Sequence, residues 1–273
     1  MTVTINGTTG IAGVDGSAAT PAVQGADTNT GVFYGTDIVA ISTGGTERMR
    51  VTNTGVALSA GTTTVAPLNF VSGTNLTTAT AGAIEYDGKV FYGTPQGAQR
   101  GVIPDAQFYR LNADYVGTAS TSAQGIFGSS LGVTLSTSTV YAFEMYVVFS
   151  KTATATAHNF QLGFGGAATI NNILYGGPYN NASAAFVSGN VATAGSFDAN
   201  TATATTVFAA AASAGISARM YFRGTVSING GGPFIPQYTT SVSVGPYSTL
   251  AGSYFLIYPI GASGANISVG AWA

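Results

Sequence analysis

Apolar residues along this chain come in short runs broken by Gly, Asn, Pro and Thr, and within the longer runs they alternate with small or polar residues. Alternation with period two sends successive side chains to opposite faces of a pleated strand, so the pattern predicts an all-β protein. Between residues 31 and 103 it predicts strands at 32–34, 38–42, 48–52, 56–58 and 68–71. Residues 84–92 predict a hairpin, because Asp87-Gly88 offers the two positive-φ positions of a type I′ turn. From residue 104 onward strands are predicted at 133–135, 140–149, 159–164, 205–210, 218–228, 234–244, 253–259 and 266–272. Strands of that number and length suit a jelly-roll-like sandwich. Helix is predicted only as a turn or two, at 105–111 after Pro104 and at 122–127.

The run 140–149 is the most informative. Tyr141, Phe143, Met145, Val147 and Phe149 share one face, and Tyr146 and Val148 make the other face apolar too. An antiparallel sheet of a lone sandwich usually turns a polar face to water. A second apolar face predicts packing against another subunit. Composition points the same way. Charged residues are 7% of the chain, against an ordinary share of about 25%. With a net charge of −2, a lone domain has little protection against association. A surface buried in an obligate interface, which resembles a domain core cut in half, resolves that.

A weak repeat links the first part of the chain. Val32-Phe33-Tyr34-Gly35-Thr36 recurs as Val90-Phe91-Tyr92-Gly93-Thr94, and each copy is followed by Gly-x-x-Arg, at Gly45–Arg48 and Gly97–Arg100. Short β units that bury their apolar faces against one another build fibrous shafts. The expected organisation is therefore an extended N-terminal anchor over 1–30, a β-rich stem with short hairpins over 31–103, and a C-terminal β-sandwich over 104–273. The first segment has little hydrophobic periodicity and is expected to be ordered only where it docks.

The residues offer little chemistry. The chain has no Cys, which excludes disulfides, Cys-based zinc and Fe–S sites and thiol catalysis. Residues 1–7 carry neither a basic nor an apolar stretch, so no signal peptide is expected. Gly and Pro interrupt the uncharged region 224–273 from Gly230 to Pro259, so no membrane insertion is expected. The eight basic residues are scattered among ten acidic ones, so no nucleic-acid partner is expected. His158 is the sole histidine and reads as an exposed or edge residue at the start of a strand. Of the acids, Asp87 is claimed by the hairpin turn, and Glu85, Asp105 and Asp114 give no catalytic pair of their own. Gly163 to Ala168 imitates a dinucleotide fingerprint, but the helix it needs does not follow, so a bulge or tight turn is expected. Asn6, Asn75, Asn181 and Asn266 each begin an N-x-[ST] triplet, as chance allows in so polar a chain. No catalytic, metal or cofactor-binding residue is predicted, and no cofactor. Glu144, by contrast, lies mid-strand among aromatics and needs a partner if buried. Arg219 and Arg223, four apart on another apolar strand, share a face and are the candidates for an ion pair with it, within the domain or between subunits.

Several segments carry a resemblance. Residues 27–33 (Asp-Thr-Asn-Thr-Gly-Val-Phe) leading into 41–51 (Ile-Ser-Thr-Gly-Gly-Thr-Glu-Arg-Met-Arg-Val) resemble units of tail-fibre and other virion proteins of tailed bacteriophages, including phages of cyanobacteria and marine bacteria. Residues 67–70 through 82–88 are similar to another fibre element, and 252–261 with 269–273 resemble the end of such proteins. The resemblance implies a non-enzymatic homotrimer on the particle surface. The N-terminal segment would attach to capsid or tail proteins, and an outward β domain would meet a host surface glycan or protein. Fibre units of this kind often continue after the equivalent of Arg50-Val51 into a repeat ending in a self-cleaving chaperone. Here they do not, which favours a short fibre or spike, with a capsid decoration protein as the alternative. A virion-associated polysaccharide depolymerase is the enzymatic rival, and a bacterial surface adhesin a further one.

Overall fold

A computed structural model describes residues 4–6, 10–183, 193–264 and 266–272. Every regular element among them is a β-strand, and every pairing is antiparallel. The chain divides into two compact units, Met1–Val71 and Ser72–Ala273. That division falls inside the segment read as a stem, and residues 1–3 and 7–9 of the anchor segment lie outside the described residues.

In the first unit β1 (Thr4–Asn6) pairs with β2 (Gly10–Ala12). Then β3 (Val23–Gln24), β4 (Gly31–Gly35), β5 (Ile38–Thr43), β6 (Thr46–Thr52) and β7 (Gly55–Leu58) form a meander in chain order. The β5–β6 turn is Gly44-Gly45, with φ of 58° and 72°. Positive φ at both central residues makes it a type I′ turn, whose twist suits a two-residue hairpin. The stretch before β4 is tied to the sheet through Tyr34 N donating to Asp15 O at 2.8 Å and Gly45 N donating to Asn29 O at 2.8 Å.

The second unit begins with β8 (Ile84–Tyr86), β9 (Phe91–Gly93) and β10 (Gly101–Ile103), a three-stranded sheet. The predicted hairpin forms, but its turn is not type I′. Only Gly88 has positive φ. The Asp87 carboxylate instead accepts from Lys89 N and Val90 N, both at 2.8 Å, and closes a longer loop.

A two-layer sandwich follows. Its strands are β11 (Gln107–Arg110), β12 (Tyr115–Val116), β13 (Gln124–Gly125), β14 (Val133–Leu135), β15 (Thr139–Lys151), β16 (His158–Gly165), β17 (Thr169–Ala182), β18 (Thr193–Ala199), β19 (Thr205–Ala210), β20 (Ile216–Gly230), β21 (Gly232–Thr240), β22 (Ser248–Thr249) and β23 (Tyr254–Ala262). One sheet runs β11-β23-β15-β20-β17-β18, with β12 and β22 off that path; the other runs β13-β21-β16-β19, with β14 on β21. Two expected helical turns, at 105–111 and 122–127, hold β11 and β13 instead, because β23 and β21 each offer a ladder that outweighs local propensity. The strands expected at 68–71 and 266–272 are absent. β17 and β18 are among the strands that had no signal in the sequence.

The layers meet through rings. Phe143 on β15 lies 5.4 Å from Phe164, 5.9 Å from Phe255 and 6.3 Å from Phe234 between centroids. Phe149 meets Phe160 at 4.9 Å and Tyr238 at 5.4 Å. All are buried. Edge-to-face and offset ring pairs add to what their buried area contributes. Phe143→Ala leaves a cavity at the centre of this cluster, so it is expected to cost about 3–5 kcal/mol. Thermal unfolding should show it as a melting temperature lower by roughly 10 °C.

Candidate functional site

Alternation along the meander sorts its residues into two faces. On one, Ala40 and Ser42 are buried. The register sets the other in two rows. Val23 stands opposite Val32, Val32 opposite Ile41, Ile41 opposite Met49, and Met49 opposite Leu58. Beside them Tyr34 stands opposite Val39, Val39 opposite Val51, and Val51 opposite Val56. Val32 and Met49 are half-buried; the rest are exposed, Val56 at 65%. Single exposed apolar residues are ordinary; a contiguous apolar sheet face is a distinct surface feature.

The sandwich has a second such surface. Odd positions of β15 from Thr139 to Lys151 are buried, and even positions from Val140 to Ser150 are half-buried on the outward face. There an aromatic row crosses neighbouring strands. Phe108 stacks on Tyr254 at 5.4 Å, Tyr254 on Tyr146 at 6.2 Å, and Tyr146 stands opposite Tyr221. Leu256, Tyr258 and Val148 flank it half-buried, and Leu174 is exposed.

Glu144 sits within this face, opposite Leu256 on one side and Arg223 on the other. Its carboxylate accepts from the Tyr221 hydroxyl at 2.9 Å and the Tyr254 hydroxyl at 3.2 Å. The bond to Glu144 pushes the Tyr221 hydroxyl pKa up; burial, then Glu144, does the same to Tyr254. Arg219 and Arg223 are exposed on the outward face of β20, as their spacing predicts. Ion pairs form elsewhere, between Glu47 and Arg50 and between Glu85 and Arg100. The two tyrosine partners of Glu144 had no sequence signal, since they depend on the register of β15 with both neighbours.

Glu85, Asp87 and Asp114, also named from sequence, serve local structure. Glu85 accepts from Leu76 N at 2.6 Å and pairs with Arg100 at 2.8 Å. The Leu76 amide first, then Arg100, hold its carboxyl below the usual range, against the opposing effect of burial. Asp114 accepts from Ala251 N at 2.8 Å. Asp87 also accepts from the Tyr92 hydroxyl at 2.9 Å; burial first and then this carboxylate push that hydroxyl up to about 12. Among the described residues no group of three or more His, Cys, Asp or Glu could hold a metal ion. Gly166, at φ 106°, turns the chain from β16 into β17 where the dinucleotide look-alike ends.

His158 corrects its expectation. It is 5% exposed and opens β16, which lies between β19 and β21. Period two carries it inward with Phe160, Leu162 and Phe164. One ring nitrogen, Nδ1, bonds Thr156 O at 2.8 Å, so it bears the proton; Nε2 bonds the Tyr247 hydroxyl at 2.8 Å and accepts from it. Lys151, 1% exposed, ends the inward row of β15 nearby. Burial lowers its pKa from the ordinary value.

Comparison of the chain with protein-family models, with curated proteins and with solved structures finds no match. Fold and surface define the class alone: an all-β protein with apolar sheet faces and an interior closed by aromatic packing.

Burial, and secondarily the charge on Lys151, hold the His158 pKa below its ordinary value, against the Thr156 bond that raises it. The unfolded chain then binds a proton that the folded chain refuses. Stability from the neutral imidazole is complete above the unfolded value of about 6.5 and is lost as pH falls below it. Melting temperatures measured between pH 7 and pH 5.5 are expected to fall for the wild type, and to fall less steeply for His158→Gln.

Proposed function

We propose that this chain is a non-enzymatic structural subunit that assembles with two copies of itself on the surface of a tailed-phage particle. The observation that carries the assembly is the pair of apolar rows on the β3–β7 meander. No residue of these rows is charged, so covering them with the same rows of another copy desolvates no ion. About a threefold axis three copies of the face can meet in one apolar core, each copy contacting its neighbour heterologously so that the ring closes. The low charge of the chain supports the same reading, and the resemblance of residues 27–33 with 41–51, 67–70 through 82–88, and 252–261 with 269–273 to fibre and virion proteins supports the particle.

The sandwich is read as jelly-roll-like. Consecutive long strands β15, β16, β17, β19, β20 and β21 cross between its two sheets, apart from the β17–β18 hairpin, which suits that class. In the trimer Glu144, Arg219 and Arg223 are offered for ion pairs between copies, since all three lie on the outward sheet face. The distal β domain would be presented to the host in three copies, which raises the avidity of any weak contact.

Light scattering during size exclusion tests the assembly. A native mass near three times the 27.3 kDa chain is expected. Val39→Lys with Val51→Lys places charges in the exposed row, so that variant is expected to run as one chain with its sandwich intact by near-ultraviolet circular dichroism. A wild-type mass of one chain overturns the proposal.

A further inference from the structure

Lysine is almost never fully buried without a charged partner, yet Lys151 is. Its ammonium nitrogen donates to four main-chain carbonyls: Ala153 O and Thr154 O at 2.8 Å, Ser213 O at 3.0 Å and Ala214 O at 3.3 Å. No described carboxylate lies within ion-pair distance of it. The charge is compensated by carbonyl dipoles alone.

The oxygens come in two successive pairs, one from the loop between β15 and β16 and one from the loop between β19 and β20. In extended chain, successive carbonyls point to opposite sides. Here Thr154 has a φ of 61°, costly for a β-branched residue, and the carbonyls on either side of it converge on one point. Other bonds fix both loops. His158 Nδ1 donates to Thr156 O and Thr156 N to Thr154 O. The Ser213 hydroxyl reaches Gly215 O at 2.9 Å, and Ser213 N donates to Ala211 O at 2.8 Å. The array is therefore shaped by more than the lysine it surrounds. An ammonium has three N–H donors, so four oxygens exceed what directional bonding needs. A ring of carbonyls that replaces a hydration shell is how proteins hold potassium.

We infer that the carbonyls of Ala153, Thr154, Ser213 and Ala214 form a monovalent-cation site, filled in the native chain by its own Lys151 and able to take a free primary alkylammonium when that side chain is cut back. The tethered cation makes this end of the sandwich independent of ions in the medium. This site is independent of the assembly proposed above, and its test does not depend on oligomeric state.

Lys151→Ala removes Cγ, Cδ, Cε and Nζ, which n-propylammonium matches atom for atom. The variant is expected to melt at least about 5 °C below the wild type. Because a ligand that binds only the folded state stabilises it, n-propylammonium should restore most of that loss. Methylammonium and n-pentylammonium should restore less, 1-propanol at the same concentration none, and the wild type should not respond. Failure of n-propylammonium to act, or equal rescue by 1-propanol or sodium chloride, overturns the inference. A second measurement needs no variant. The chain has two lysines, Lys89 and Lys151; Lys89 is half-buried and its ammonium donates to Thr137 O at 3.0 Å and Thr139 Oγ1 at 3.3 Å, whereas Lys151 is 1% exposed and donates to four carbonyls. Nitrogen-15 spectra of the native protein, with both ammonium groups assigned, are expected to show a Lys151 resonance more strongly protected from exchange with water than that of Lys89. Absence of that difference would also overturn the inference.

Discussion

All thirteen residues of β15 pair with β20, from Thr139 opposite Ile228 to Lys151 opposite Ile216. That ladder is the constraint on which the sandwich depends. A slip of one residue would turn Phe143, Met145 and Val147 out to solvent and bring Glu144 inside. The register holds on the other side as well, where β23 pairs with β15 through one irregularity at Val140/Tyr141. With β15 fixed, the second sheet has one way to fill the core, by setting Phe160, Phe164, Phe234 and Tyr238 among its inward rings. The same ladder fixes two further features. Its even positions make the outward aromatic face, and its last odd position delivers Lys151 to the carbonyl array.

Within the sandwich, three polar groups of β15 and β16 are met by neutral partners. Lys151 is met by carbonyls, His158 by a carbonyl and the Tyr247 hydroxyl, and Glu144 by two tyrosine hydroxyls. Each arrangement leaves the charge or ring with hydrogen bonds but brings no second ion out of water. Removing a second charge from water is the cost that makes buried ion pairs a weak source of stability. Tyrosine suits this task because it packs as a ring and bonds at its tip. Burial pushes the hydroxyls of Tyr238 and Tyr247 up, so both stay neutral donors through ordinary pH.

The alternation in β15, β16 and β20 was legible because their inward residues are large and regularly spaced. β17 was not. Asn171, Asn172, Gly176, Gly177 and Pro178 read as loop by every local preference. Their reasons are tertiary: a Cβ on Gly177 would come within 2.3 Å of the Tyr221 carbonyl oxygen, so close approach of β20 demands glycine there. At 105–111 the local signal after Pro104 named a helix, and the open edge of β23 made it β11. His158 and Lys151 could have been placed inside by extending the period-two count by one step at each strand end. The Tyr221 and Tyr254 partners of Glu144 could not, since alternation gives faces and not register. The apolar rows of the meander lie between these cases: each strand's apolar positions were visible, but aligning them needed the tight turn at Gly44-Gly45.

The two outward surfaces differ in kind, and the difference assigns them different work in the proposed assembly. The meander rows carry no charge and, apart from Tyr34 and Met49, consist of branched aliphatic side chains. Their burial is favourable wherever they meet a similar face, so they supply affinity with weak discrimination of register. On the sandwich, Glu144, Arg219 and Arg223 stand among the aromatic row of Phe108, Tyr254 and Tyr146. A misplaced copy there would take a carboxylate or guanidinium out of water without adding a counter-ion, a cost of several kcal/mol. Apolar rows that hold and charged positions that reject wrong alignments are the two parts a symmetric assembly needs. In this chain they sit on separate sheets, so each can be altered without unfolding the other.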